Sequence, residues 1–133
     1  MKKKEDSFTA SNLISLLKSF TKVEMKQIDK FVHSPFHNNR NEVSRFYDRI
    51  KSYFPGFDNR EFQKEKIYSK LYPGGKYKDD VIRRLSSNLF KLAEEYGAYK
   101  TFRNVRFDYN KYLLEFHLSR SEEPLYLKQQ NKT

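Results

Sequence analysis

The spacing of apolar residues in two segments is the feature that most constrains how this chain can fold. In residues 41–54 the apolar positions follow the order i, i+3, i+4, i+7, i+10 and i+11: Val43, Phe46, Tyr47, Ile50, Tyr53 and Phe54. In residues 79–96 the corresponding face contains Ile82, Leu85, Leu89, Leu92, Ala93 and Tyr96. This period predicts two amphipathic α-helices, and no segment sustains the two-residue alternation of a strand. The sequence therefore predicts an all-α fold.

Weaker apolar patterns and turn residues extend this prediction to a compact bundle of about six helices. The expected ranges are 8–19, 21–33, 41–54, 61–72, 79–96 and 98–119. Gly97 is expected to end the fifth helix, since glycine readily adopts the left-handed conformation that follows a helix. A break is allowed near Asn104, and Pro124 is expected to end the sixth helix.

Several helix starts are also readable. Thr21 and Glu24 match a capping box, in which each side chain bonds the backbone amide of the other. Asn41 is the expected N-cap of the third helix. Asp79 and Asp80 stand at the start of the fifth helix, where the helix dipole favours negative charge.

The length of 133 residues corresponds to about one domain. We expect a basic, flexible N-terminus over residues 1–8, a single helical domain over 9–121 and a polar C-terminal tail over 122–133. The twelve Phe and ten Tyr residues are the main core material. Residues 61–96, two helices around a Pro-Gly-Gly turn, resemble a helix-turn-helix unit.

The composition argues against secretion and membrane insertion. The chain has no Cys, which excludes disulfides, Cys zinc sites and thiol catalysis. No apolar run approaches the roughly 18 residues of a membrane span, and none follows the basic N-terminus as in a signal peptide. The expectation is a soluble, cytoplasmic protein without a membrane partner.

The residues that could carry catalysis do not form a recognised pattern. His33 and His37 have the i, i+4 spacing of a helical metal pair, but Pro35 lies between them and no third ligand accompanies them. Solvated loop histidines are the preferred interpretation. Adjacent carboxylates such as Glu94 and Glu95 point about 100° apart on a helix and do not face a common substrate. We therefore expect no enzyme, no metal, no cofactor and no small-molecule substrate.

The formal net charge of +10 indicates a polyanionic partner, although the basic residues are spread along the whole chain. The face of helix 79–96 that points away from its apolar stripe is the candidate nucleic-acid surface. It contains Arg83, Arg84, Ser87, Asn88 and Lys91. Arginine and asparagine can bond base edges and lysine can hold phosphate, but such a face is also typical of an ordinary solvated helix.

Three segments resemble a known group of proteins: Ser34-Pro35-Phe36-His37-Asn38, the stretch from Lys64 to Gly74, and Arg83-Arg84-Leu85-Ser86-Ser87-Asn88-Leu89. Over about residues 12–120 the chain resembles the N-terminal region of long helical proteins from Bacteroidota. The resemblance implies a helical fold, and no activity is attached to that group.

A second likeness is to winged-helix DNA-binding domains of response regulators. They place a Leu-aromatic-Pro turn before a helix rich in Arg, Ser and Leu, here Leu71-Tyr72-Pro73 followed by residues 83–92. This likeness implies DNA binding through residues 83–92. The sequence after Gly97 shows no counterpart of the β-hairpin wing of those domains.

Two functional hypotheses follow from the sequence. The leading one is a non-catalytic helical module that binds a protein partner or forms part of a larger helical assembly. The alternative is a basic nucleic-acid-binding domain that uses helix 79–96. An exposed apolar patch would favour the first, and a single basic face the second.

Overall fold

The computed structural model describes Phe8 and residues 11–132, with side chains described up to residue 121. Six α-helices and one short 3-10 helix occupy this part of the chain. They are α1 (Asn12–Lys18), α2 (Lys22–Val32), α3 (Asn41–Ile50), the 3-10 helix (Lys51–Tyr53), α4 (Lys64–Leu71), α5 (Asp79–Asn104) and α6 (Arg106–Lys132). No strand occurs among the described residues, so the predicted all-α fold is confirmed.

Side chains cap the first two helices as the residue types dictate. The capping box at the start of α2 is present: Thr21 Oγ1 accepts from the Glu24 amide at 3.0 Å, and Glu24 Oε1 accepts from the Thr21 amide at 2.8 Å. Ser11 Oγ accepts from the Ile14 amide at the start of α1. These bonds satisfy amide groups that have no partner within the helix.

The predicted cap at Asn41 is wrong. Arg40 occupies the N-cap position without a side-chain hydrogen bond, and Asn41 is the first helical residue. Asn38 organises the preceding loop instead. Its Oδ1 accepts from the Arg40 amide at 3.0 Å, and its Nδ2 donates to the Val32 carbonyl and to Ser44 Oγ. One asparagine thus ties the end of α2 to the start of α3.

Two predicted helix ends are also wrong. Helix α5 continues through Gly97 to Asn104, because glycine within a helix costs only about 1 kcal/mol and the following residues sustain the helix. Helix α6 continues through Pro124 to Lys132, so this proline does not end the helix, although its cost within a helix is about 3 kcal/mol. The break allowed near Asn104 is confirmed, because Val105 separates α5 from α6.

Helix α4 begins at Lys64 rather than at residue 61. Asn59 holds the preceding residues in a turn: its Oδ1 accepts from the Glu61 amide at 2.8 Å, and its carbonyl accepts from the Phe62 amide. Helix α3 ends at Ile50, before the end of the predicted helix 41–54. The 3-10 helix Lys51–Tyr53 follows it within that range.

The chain divides into two compact units, one ending at Tyr96 and the other beginning at Gly97. The first unit contains the core. Phe46, Tyr47 and Phe57 are among its largest fully buried side chains, and no described polar or charged residue is buried. Phe8, expected at the end of the flexible N-terminus, is buried and stacks on Phe62 with ring centroids 4.6 Å apart. The rest of the predicted N-terminus lies outside the described residues.

The second unit consists of the last part of α5 followed by α6. Phe102 contacts the rings of Tyr109 and Tyr112 at centroid distances of 6.0 and 5.6 Å. Every side chain from 110 to 121 is exposed. Among the described residues, no helix combines the length and the apolar character that crossing a membrane requires.

Candidate functional site

The predicted nucleic-acid surface of α5 contains three cationic residues, and two of them are paired with carboxylates. Arg83, Arg84, Ser87 and Lys91 are exposed, and Asn88 is partly buried. Arg83 Nε lies 3.0 Å from Asp79 Oδ2 in the first turn of the same helix. Arg84 forms an ion pair with Glu42 of α3, so both arginines have carboxylate partners.

The pKa of two residues near this surface reflects these contacts. A hydrogen bond from the Tyr77 hydroxyl to Asp79 Oδ1 at 2.7 Å lowers the pKa of Asp79, and the charges of Lys64 and Arg83 act in the same direction. The hydrogen bond to Glu42 raises the pKa of Arg84. The paired charges stabilise the start of α5 and its contact with α3, and they reduce the positive charge that phosphate would meet.

Two of the predicted residues, Asn88 and Lys91, line a cavity of about 190 Å³. Helix α5 also contributes Glu95, and the loop before α3 contributes His37 and Arg40. The Nδ2 atom of Asn88 is buried, and it is the one such side-chain atom in the described part of the chain that has no hydrogen-bond partner. The structure thus places Asn88 and Lys91 of the predicted surface beside the loop before α3. The sequence did not indicate this proximity.

His33 and His37 do not form the metal pair that their spacing allows. The ring of His37 stacks on Phe31, with centroids 4.0 Å apart. His33 faces α3 instead, where its Nε2 lies 3.0 Å from Asp48 Oδ1, and its Nδ1 lies 2.8 Å from the Asp29 carbonyl oxygen. The turn at Ser34-Pro35 separates the directions of the two rings.

Asp29, His33 and Asp48 form a cluster whose ligand atoms lie within 4.8 Å of one another, a size that suits a cation. The ammonium group of Lys51 already lies 2.8 Å from Asp29 Oδ1 and 3.3 Å from Asp48 Oδ1. The hydrogen bond to the Asp29 carbonyl raises the pKa of His33, and the Asp48 carboxylate adds to this effect. The cluster is therefore an ion-pair network that joins α2 to α3.

A larger cavity of about 470 Å³ lies beside this network. Met25, Tyr47 and Phe54 supply its apolar wall, and Lys26 and Lys30 lie on its polar side. The Tyr47 hydroxyl donates to the Met25 carbonyl at 3.2 Å, so the polar group of this buried ring has a partner. Burial, with the nearby Asp29 and Asp48 charges, raises the Tyr47 pKa.

Helix α6 carries apolar side chains on two opposite sides. The first stripe contains Tyr109, Tyr112, Leu113 and Phe116, at the spacing i, i+3, i+4 and i+7. The second stripe contains Phe107, Leu114 and Leu118, which are 79%, 59% and 54% exposed. At about 100° per residue the two stripes lie on opposite sides of the helix.

The first stripe belongs to the apolar pattern that predicts the helix 98–119, whereas the second stripe was not predicted from the sequence. The second stripe has the i, i+7, i+11 spacing of Phe107, Leu114 and Leu118. This spacing is not recognised when only one apolar face of the helix is considered. Because Tyr112, Leu113 and Phe116 are also exposed, neither stripe of α6 is part of the buried core.

Comparisons with protein-family models, with curated proteins and with solved structures found no match.

Proposed function

We propose that this chain is a non-catalytic helical module that binds a protein partner through α6. The observation that carries this proposal is the exposure of large apolar side chains on both sides of that helix. Single exposed apolar residues are common, but contiguous apolar surface on a small protein is typical of an interaction site.

The partner that fits this surface is helical and contributes apolar residues to each side of α6. A helix with one apolar stripe packs on one neighbour, whereas a helix with two opposite stripes needs a neighbour on each side. Full burial of a Leu or Phe side chain contributes about 1.5–3 kcal/mol, so covering Phe107, Leu114 and Leu118 would favour association.

The polar residues between the stripes support a protein partner over a membrane surface or a polyanion. Asp108, Lys111 and Glu115 lie on one flank of α6, so positive and negative charges alternate there. Helices that bind a membrane surface carry mainly Lys and Arg on the polar face. Mixed charges are typical of a helix that packs among other helices.

Site-specific photo-crosslinking tests the proposal. A benzophenone amino acid replaces Phe107 on the second stripe, and in a matched control it replaces Arg83, whose side chain is 70% exposed on α5. We expect irradiation in the cells that make the protein to give one discrete product from position 107 and none from position 83. Mass spectrometry then distinguishes a different helical protein from a second copy of the chain.

Two outcomes would contradict the proposal. One is the absence of a product from position 107. The other is an equal set of products from both positions, which would show random collision. The nucleic-acid alternative is tested by duplex and single-strand binding at low salt: affinity that falls steeply with salt and is lost in an Arg84→Ala/Lys91→Ala double variant would favour it.

A further inference from the structure

We propose that the second stripe of α6 pairs with the same stripe of another copy of the chain, and that the two helices run antiparallel. This inference rests on the proposed function, because it identifies the occupant of one side of the partner-binding helix. The first stripe stays available to a different protein.

The first argument is the spacing of the stripe. Leu114 follows Phe107 by seven positions, whereas Leu118 follows Leu114 by only four, so each helix has a gap between its first two apolar residues. When two such helices run antiparallel with Phe107 beside Leu118 of the second copy, Leu114 of each copy lies opposite the gap of the other. The six side chains then form one row about 16 Å long, at a rise of about 1.5 Å per residue.

A parallel pairing does not achieve this. It places the two gaps side by side, with Asn110 and Lys111 of both copies between the apolar contacts. Polar groups at such a position lose water without gaining a suitable partner. The uneven spacing of the stripe therefore favours the antiparallel arrangement.

The second argument is charge. Lys111 adjoins the second stripe on the flank that also carries Glu115, and both side chains are exposed. A twofold axis perpendicular to two antiparallel helices brings the same flank of both copies together. In the register set by the apolar row, Lys111 of each copy lies beside Glu115 of the other. One contact thus forms two ion pairs, and the stem of Lys111 covers Leu114 of the second copy.

The remaining polar residues limit the strength of the contact. Asn110 lies beside His117 of the second copy on the other flank, where amide and imidazole groups can share a hydrogen bond. Asp108 lies near Glu115 of the second copy and opposes it by charge. Stable interfaces bury roughly 1,200–2,000 Å² in total, which is more than six side chains on one pair of helices supply. We therefore expect a weak dimer whose population depends on protein concentration.

The decisive test exchanges charges between chains. Lys111→Glu and Glu115→Lys are prepared as separate full chains, and sedimentation equilibrium measures each alone and the two mixed. Alone, each variant turns both ion pairs into repulsions, so we expect dimerisation to weaken at least about tenfold. The equimolar mixture is expected to recover the dimer.

This design separates pairing between chains from pairing within one helix. Residues 111 and 115 are four positions apart and can also interact within the same helix. In each variant both positions carry the same charge, so recovery in the mixture comes only from contacts between chains. Arg83→Glu changes a charge on α5 that is outside the contact, and it is expected to leave dimerisation unchanged.

Disulfide trapping tests the register. The chain has no Cys, so single cysteines can be introduced without side reactions. A mixture of Phe107→Cys and Leu118→Cys chains is expected to form the mixed disulfide on mild oxidation. Either variant alone is expected to crosslink poorly, because the same residue of two antiparallel copies is about 16 Å apart along the helices, beyond the reach of a disulfide.

Three results would overturn the inference. They are a chain that stays monomeric at about 1 mM, a charge-exchange mixture without recovery, and Phe107→Cys alone crosslinking as readily as the mixture. A monomeric chain whose position 107 still gives a photo-crosslink to a different protein would refute the self-pairing and leave the proposed function intact. The absence of any photo-crosslink at position 107 would contradict the proposed function itself.

Discussion

The two units of the chain use aromatic and aliphatic residues in opposite ways. In the first unit, Phe46, Tyr47 and Phe57 are fully buried, and side-chain bonds cap α1 and α2. In the second unit, Phe107 and Leu114 are exposed, and the described part of α6 contributes nothing to the core. Similar residue types are therefore buried in the first unit, where they stabilise it. In the second unit they are exposed and leave apolar surface uncovered.

This difference shows that a helical period in a sequence indicates which face of a helix is apolar. The period does not indicate whether the same chain or a partner covers that face. The period of α3 and the period of the first stripe of α6 are equally clear. The first is buried by other helices of the same chain, and the second is not. The first unit therefore buries its own apolar faces, and the proposed partner would cover those of α6.

The strongest test of the contrast compares two Phe truncations. Phe46→Ala removes a fully buried ring and leaves a cavity, so we expect a loss of about 3–5 kcal/mol in the free energy of unfolding. Phe107→Ala removes an exposed ring, and we expect a change within about 0.5 kcal/mol. Urea denaturation followed by circular dichroism measures both. Similar losses in the two variants would refute the contrast.

A smaller effect is expected from two Thr substitutions. Thr21→Ala removes the capping box of α2 and is expected to cost about 1 kcal/mol. Thr101→Ala replaces an exposed β-branched residue within α5 by the best helix former, so we expect stabilisation of up to about 0.5 kcal/mol. Thermal unfolding of both variants checks the opposite signs, and destabilisation by Thr101→Ala would show that this residue has a partner in the folded chain.

The smallest effect is a pH dependence that belongs to His33. Its pKa is raised above 6.5 in the folded chain, mainly by the hydrogen bond to the Asp29 carbonyl and also by the Asp48 and Asp29 carboxylates. Its stabilising contribution is therefore complete below about pH 6.5, the unfolded value, and is lost as the pH rises through the folded pKa. Because these groups are partly exposed, the contribution is at most about 1 kcal/mol.

His33→Gln is thus expected to lower stability more at pH 5.5 than at pH 8. His117→Gln, at an exposed position of α6, provides the matched control and is expected to leave the pH dependence of unfolding unchanged. An equal loss at both pH values in His33→Gln would show that packing, rather than charge, is what this side chain contributes.

Local patterns allowed much of the fold to be predicted, since the apolar stripes of α3 and α5 and the Thr21–Glu24 box depend only on neighbouring residues. The wrong predictions concern positions where opposing local contributions to the free energy decide where a helix begins or ends. Gly97 costs a helix only about 1 kcal/mol, which the flanking residues overcome, and α6 also continues through Pro124 in spite of a larger cost of about 3 kcal/mol. The cap at Asn41 failed because Asn38 provides the hydrogen bonds that organise this loop.

The candidate sites were harder to predict, because they bring distant segments together. Asn88 and Lys91 were recognisable on α5, but nothing in the sequence indicated that Arg40 and His37 would line the same cavity. The Asp29–His33–Asp48–Lys51 network likewise joins two helices. The second stripe of α6 was visible in the sequence and was missed because only one apolar face was expected.

The two-sided surface of α6 has a consequence for the lifetime of the protein in a cell. Chaperones and proteases continuously remove chains that display non-native apolar surface. A newly made chain whose α6 has no partner would present Phe107, Leu114 and Leu118 to that machinery. The amount of this protein would then follow the amount of its partner, so depletion of the partner would be seen first as degradation of this chain.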